Sequence, residues 1–142
     1  MVERKKYLDL LIKSKENGFP KVITGIRRCG KSYLLNVLYK DYLLKNGIDE
    51  NNIIEIDLTK ISNAYYRDPI YLYEHVVSLV NKNDGISYVF IDEIQEVYPI
   101  VNLALSEGKH IKAKNSDEDI VSFVDVVLDL ASLQNVDLYI TG

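Results

Sequence analysis

Thr24 to Leu35 reads TGIRRCGKSYLL, with two glycines, two arginines, the chain's one cysteine, a lysine and a serine set between a short apolar run and a helix-like one. Gly25, Gly30, Lys31 and Ser32 match the spacing G-x-x-x-x-G-K-[ST]. Chance places that spacing in roughly one chain of this length in two hundred. The context is also the one the chemistry needs: the apolar run KVITG, Lys21 to Gly25, comes before it and a helical pattern over 31–45 comes after. Glycines let a backbone curl with its N–H groups turned inward, and a helix N-terminus adds partial positive charge, which together make an anion cradle. Gly25, Ile26, Arg27, Arg28, Cys29, Gly30, Lys31 and Ser32 then surround the phosphates of a nucleotide. Lys31 neutralises β- and γ-phosphate charge, and Ser32 Oγ binds Mg²⁺. The competing reading is a glycine turn with a solvated lysine.

At 142 residues, 47% hydrophobic and 27% charged, the chain has the apolar content of one core and the polarity of an ordinary domain. Its most apolar late stretch, IVSFVDVVLDLASL, carries Asp125 and Asp129, so no run long enough for a membrane span exists. The start, MVERKKYLDLL, lacks the apolar region and cleavage site of a secretory signal, and a cytoplasmic location is the simplest expectation. Cys29 cannot form an internal disulfide, which agrees with a reducing compartment. A net charge of -4 argues against a globally basic nucleic-acid binder.

Away from the glycine stretch, short apolar runs alternate with longer helical patterns, the signature of a layered parallel sheet. The helix over 31–45 carries Leu34, Leu35, Leu38 and Tyr42 at three- and four-residue steps. NIIEIDL, Asn52 to Leu58, reads as a second strand. Asp68 and Pro69 make an N-cap and first-turn pair for a helix whose Ile70, Tyr73, Val77 and Val80 share a face. SYVFID, Ser87 to Asp92, reads as a strand buried on both faces. From about 96 to 119 the pattern is irregular, with Pro99, Gly108 and the basic run KHIKAK, and reads as a long loop or insertion. Ser116 with Asp119 has capping-box spacing for a helix over DIVSFVDVVLDLAS, and VDLYITG, 136–142, reads as a fourth strand. An α/β domain seldom finishes on a strand tip with no covering helix, so the expectation is an N-terminal piece of something longer.

The second chemical motif is YVFIDE, in which apolar strand residues deliver Asp92 and Glu93 to the strand's carboxyl end. Open α/β sheets bind ligands at that edge, so the acids arrive beside the glycine loop. Asp92 is placed to hold Mg²⁺, mostly through water, and Glu93 to polarise an attacking water as general base. An isolated acidic pair would read as a helix cap or a solvated turn.

VITGIRRCGKSYLL, YVFIDEIQ and LYITG together resemble the prokaryotic AAA-type ATPases, whose longer members continue past this core into a helical or winged-helix region and a C-terminal domain of uncertain role. The resemblance implies an α/β fold, a P-loop NTPase three-layer sandwich with a mostly parallel sheet, holding four strands of an expected five in the order 5-1-4-3-2. It implies one AAA-type ATP-binding domain over 1–142, incomplete at its C-terminus. Transferred by position, Gly25 to Ser32 become the Walker A loop, Asp92 and Glu93 the Walker B pair, and Gln95 part of a DEIQ signature. Thr141 falls at the strand tip where such families place a polar sensor for the γ-phosphate, although they usually continue TG with a serine or asparagine pair. The implied cofactors are ATP and Mg²⁺. The implied reaction is hydrolysis of ATP to ADP and phosphate, driving conformational change in attached domains. Without a fifth strand, the strand before the glycine loop is left at a sheet edge, so the expected macromolecular partner is a further copy of the chain, as a homo-oligomer or an edge-strand dimer.

Other readings stay open beside this one: a nucleotide-binding switch without turnover, a protein or nucleic-acid interaction module, and a small-molecule kinase. Arg27 and Arg28 could reach a γ-phosphate or a neighbouring subunit, or simply be solvated. Cys29, among positive charges, has the surroundings of a lowered thiol pKa, or is a small apolar filler. KHIKAK reads as a solvated loop more readily than as a nucleic-acid contact, because the acids of SDED follow it and no aromatic residue interleaves it. His75 and His110 have no partner at ligand spacing, and Tyr65 and Tyr66 have no role that the sequence assigns.

Overall fold

The computed structural model describes residues 2–24, 30–115 and 119–142. Its elements are helix α1 (Val2–Ser14), strand β1 (Lys21–Ile23), helix α2 (Gly30–Tyr33), a π-helical segment (Leu34–Tyr39), helix α3 (Lys40–Lys45), strand β2 (Ile53–Asp57), helix α4 (Pro69–Val80), strand β3 (Ser87–Asp92), strands β4 (Ile100–Val101) and β5 (Ile120–Val121), helix α5 (Phe123–Ala131) and strand β6 (Val136–Thr141). Short 3-10 turns cover Glu50–Asn52, Ile61–Arg67 and Ile94–Glu96. Among the described residues no helix is long and apolar enough to cross a membrane.

Four strands pair in the order β1-β6-β3-β2, all parallel. Parallel strands need crossovers, and the helices between them cover both faces of the sheet. Side-chain alternation then divides β3: Val89 and Ile91 join Leu72, Val76 and Val80 of α4 and Val126 and Leu130 of α5 in one core. Tyr88 and Phe90 join Leu11 of α1 and Leu34, Leu35, Tyr39 and Leu43 in the other. The result is the three-layer α/β sandwich that the sequence implies.

Two helices bury residues other than those periodicity selects. In α4 the buried side chains are Pro69, Leu72, Val76 and Val80, with Tyr73 and Val77 only partly covered. After the glycine loop the buried set is Leu34, Leu35, Tyr39 and Leu43 instead of one running through Leu38 and Tyr42. The π segment is the cause, because its wider turn takes an extra residue and shifts the face that follows by one position.

The stretch after β3 is more ordered than its composition implies. β4 pairs antiparallel with β5, and Val101 N donates to Ile111 O (2.8 Å) while Ala113 N donates to Pro99 O (3.0 Å). His110 Nδ1 lies 2.7 Å from Asp68 Oδ2, and its ring stacks on Tyr71 at 4.1 Å. Lys112 sits over the Tyr98 ring. The basic run therefore does have aromatic neighbours, brought from elsewhere in the chain and used inside the fold. Tyr65 and Tyr66 stack on Tyr71 and His75. Asp68 serves two partners at once, since its Oδ1 also accepts from Ile70 N (2.9 Å) and Tyr71 N (3.1 Å) as the N-cap of α4.

One helix start is corrected. The capping box of α5 is Ser122 with Asp125, and the helix begins at Phe123. Ile120 and Val121, assigned by sequence to that helix, are β-branched residues that pair as β5 instead. Ser116 lies outside the described residues.

At the amino edge of the sheet a buried ion pair joins Lys21 of β1 to Asp137 of β6. Asp137 Oδ2 also accepts from Tyr139 Oη (2.6 Å) and Glu16 N (2.9 Å), and Tyr39 Oη meets Tyr139 Oη at 2.5 Å. Burial pushes the Tyr39 and Tyr139 phenols well above the ordinary tyrosine pKa, so both stay protonated and able to donate. Removing one member of a buried pair leaves an uncompensated charge, at a cost of about 3–5 kcal/mol. Asp137→Ala is therefore expected to destabilise the chain by about 3 kcal/mol or more in urea unfolding; a loss below about 1 kcal/mol, the scale of an exposed pair, would show that the pair does not anchor β1.

Candidate phosphate and metal site

Because the four sheet strands are parallel, their carboxyl ends share one edge, and three of them carry the candidate residues there. Ile23 of β1 is in register with Thr141 of β6, and Asp57 of β2 with Asp92 of β3. Gly30, Lys31 and Ser32 begin the helical run that crosses this edge. Gly25, Ile26, Arg27, Arg28 and Cys29 lie outside the described residues.

Asp92 is the hub. It is 4% exposed and accepts from Asn36 Nδ2 (2.6 Å), Thr141 Oγ1 (3.0 Å) and Ser32 Oγ (3.3 Å). Burial pushes its carboxyl above the usual carboxylate range, and Asp57 on the neighbouring strand adds to this, while the three donors pull it back. Thr141, also buried, engages a second partner, since its Oγ1 accepts from Glu93 N at 3.2 Å. One hydroxyl thus ties Asp92 to the backbone of the next acid along the chain.

Glu93 takes a left-handed conformation, φ 64 and ψ 54, where β3 ends and the 3-10 turn begins. Left-handed backbone is unfavourable for a residue with a Cβ, and such strain concentrates at functional sites. Gln95 Nε2 donates to Glu93 Oε2, holding the carboxylate in the same small loop. Lys31 Nζ donates to Gly142 O at 3.1 Å. A Cβ at Gly142 would lie 2.5 Å from Ile94 Cγ1, so a larger residue there would require the Ile94 side chain to shift.

A cleft of about 400 Å³ opens beside these residues, lined by Ser32, Asn36, Glu55, Ile56, Asp57, Lys60, Asn63 and Asp92. Sequence reasoning passed over Asn36, Asp57, Lys60 and Asn63. Asn36 stands four residues after Ser32, one helical turn on, and that spacing is the signal that could have found it. Among the described residues no three His, Cys, Asp or Glu side chains group to hold a metal. The donors present suit Mg²⁺, which takes one or two carboxylates with phosphate and water oxygens at about 2.0–2.1 Å, so that neighbouring ligands lie about 3 Å apart. Ser32 Oγ and Asp92 Oδ2, 3.3 Å apart, come close to that spacing.

Residues 17–142 match the family model described as an AAA domain. A curated relative, an uncharacterized protein of Haemophilus influenzae, is 34% identical over 126 residues, covering 86% of this chain and 31% of that protein. The chain thus spans about a third of the length of the relative it matches. No solved structure matches it.

The left-handed turn at Glu93 has a measurable signature. Glycine normally costs stability against alanine, but at this φ the order reverses. Glu93→Gly is expected to be more stable than Glu93→Ala by about 1 kcal/mol in urea unfolding; equal stability, or alanine ahead, would show that the turn is not held left-handed.

Proposed function

The chain belongs to the AAA domain family, and on that premise we propose that it binds ATP with Mg²⁺ and hydrolyses it to ADP and phosphate, driving a conformational change in attached domains. Family membership supports nucleotide binding; the chemistry rests on the arrangement at the carboxyl edge of the sheet. The observation that carries it is the double hydrogen bond of Thr141, which fixes Asp92 and Glu93 relative to each other.

In this reading the backbone of 25–32 and the Lys31 ammonium bind the phosphates, and Ser32 and Asp92 hold Mg²⁺. Bound there, the cation neutralises charge building on the β- and γ-phosphate oxygens. Glu93 accepts a proton from the water whose oxygen attacks the γ-phosphorus, while the bond from that phosphorus to the β-bridging oxygen breaks and ADP leaves. Thr141 acts by holding the Asp92 carboxylate and the backbone N–H of Glu93, to which its hydroxyl is committed. Arg27 and Arg28 of the same motif would add guanidinium groups, which match phosphate geometry. Further copies of the chain associate through β1, which has β6 on only one side among the described residues.

A nucleotide switch without turnover is the second reading, and it has its own support. Gln95 occupies the Glu93 carboxylate that would have to accept the proton.

Calorimetric titration with ATP and Mg²⁺, followed by phosphate release, separates the two. Lys31→Ala is expected to abolish binding. Glu93→Gln is expected to keep binding and to lower turnover by about 10²–10⁴-fold, the range of general-base catalysis. Binding without phosphate release in the unsubstituted chain would favour the switch, and binding that survives Lys31→Ala would remove the phosphate-loop assignment.

A further inference from the structure

Asn36 makes contacts that its place in the glycine-loop motif does not explain. Its Nδ2 lies 2.6 Å from Asp92 Oδ2, 3.1 Å from Ser32 O and 3.2 Å from Ser32 Oγ. A backbone carbonyl and a carboxylate can only accept, so the atom between them has to be the amide nitrogen and not the oxygen. The two N–H groups are therefore shared among Ser32 O, Ser32 Oγ and Asp92 Oδ2, and the last two are the oxygens through which Ser32 and Asp92 would hold a cation, Asp92 mostly through its water. Each contact takes up one acceptor position on its oxygen and turns the positive end of the amide toward the place of a cation, so this orientation disfavours the ion. The residue also sits inside the π segment Leu34–Tyr39, a form of helix found mostly as single-turn bulges at functional sites.

We propose that Asn36 belongs to the metal site as a competitor for the cation: its amide holds Ser32 and Asp92 together, and a divalent ion binds more tightly once that amide turns over. A half-turn about the last side-chain bond exchanges donor for acceptor. Oδ1 then faces the site and accepts a hydrogen bond from water on the ion. The same residue lowers affinity for the free ion and supports the hydrated ion once it is bound, so metal entry is tied to the phosphates that supply the remaining ligands. This rests on Ser32 and Asp92 as the metal pair, and the experiment tests that assignment separately.

The probe is Mn²⁺ in place of Mg²⁺, titrated into the chain without nucleotide and followed by electron paramagnetic resonance. Charge-assisted hydrogen bonds are the stronger kind, and losing one here is expected to tighten Mn²⁺ binding in Asn36→Ala by about tenfold. Asn36→Leu, close in size and without a donor or a charge, is expected to tighten it similarly, and it keeps the test available if the alanine variant folds poorly. Ser32→Ala is expected to weaken Mn²⁺ binding in every background. Unchanged or weaker binding in both Asn36 variants, with Ser32→Ala still weakening it, would overturn the competition while leaving the metal pair standing. Binding indifferent to Ser32→Ala would overturn both.

Discussion

Parallel pairing of β1, β6, β3 and β2 is the constraint on which the rest of the structure depends. It puts every strand's carboxyl end on one edge, so residues far apart in the chain, Ser32, Asp92 and Thr141, come within hydrogen-bonding distance without any further device. The same pairing fixes their relative heights. Because Ile91 is level with Ile140, the next residues on both strands, Asp92 and Thr141, face each other at the sheet's rim. A one-residue slip would turn Asp92 to the opposite face and replace it with Ile91.

The two ends of the sheet solve a common problem in different ways. Each holds buried polar groups, and among the described residues no buried side-chain nitrogen or oxygen lacks a partner. At the amino edge the groups neutralise one another: Lys21 pairs with Asp137, and the tyrosines supply the remaining donors. At the carboxyl edge the donors to Asp92 are an amide and two hydroxyls, all neutral, and the carboxyl is pushed above its usual range. A closed network gives stability to one end. The other keeps a carboxylate whose charge its surroundings do not fully match, which a cation would stabilise.

Much of this was legible in the sequence where one local rule decides. β3 is apolar between Ser87 and Asp92 because helices cover both its faces, and Asp68 with Pro69 marks the start of α4 because both residues act within one turn. The chemical edge was legible as well, since Lys31, Ser32, Asp92, Glu93 and Thr141 stand at helix starts or strand ends whose direction the parallel sheet fixes. What escaped depends on contacts across the fold. α1 has little amphipathic pattern and owes its place to Leu11 in the second core and to Glu16, just past its end, bonding Asp137 and Tyr88. β4 and β5 are two residues each, too short for any periodicity. The π segment moved the buried face by one residue, and the same widened turn contains Asn36.

The tip of β6 links the residues that would handle phosphate to those that would handle water. The carbonyl of Gly142, just past it, receives Lys31 Nζ, and the Thr141 hydroxyl holds Asp92 on one side and Glu93 N on the other. The close approach of Gly142 to Ile94 leaves no slack between this tip and the 3-10 turn that carries Gln95. Hydrogen bonds weaken steeply with poor distance and angle, and packed contacts do not stretch smoothly, so the group behaves as one unit with few arrangements. The strand end thus gathers the lysine, the Asp92 carboxylate and the backbone of Glu93 around two residues, Thr141 and Gly142.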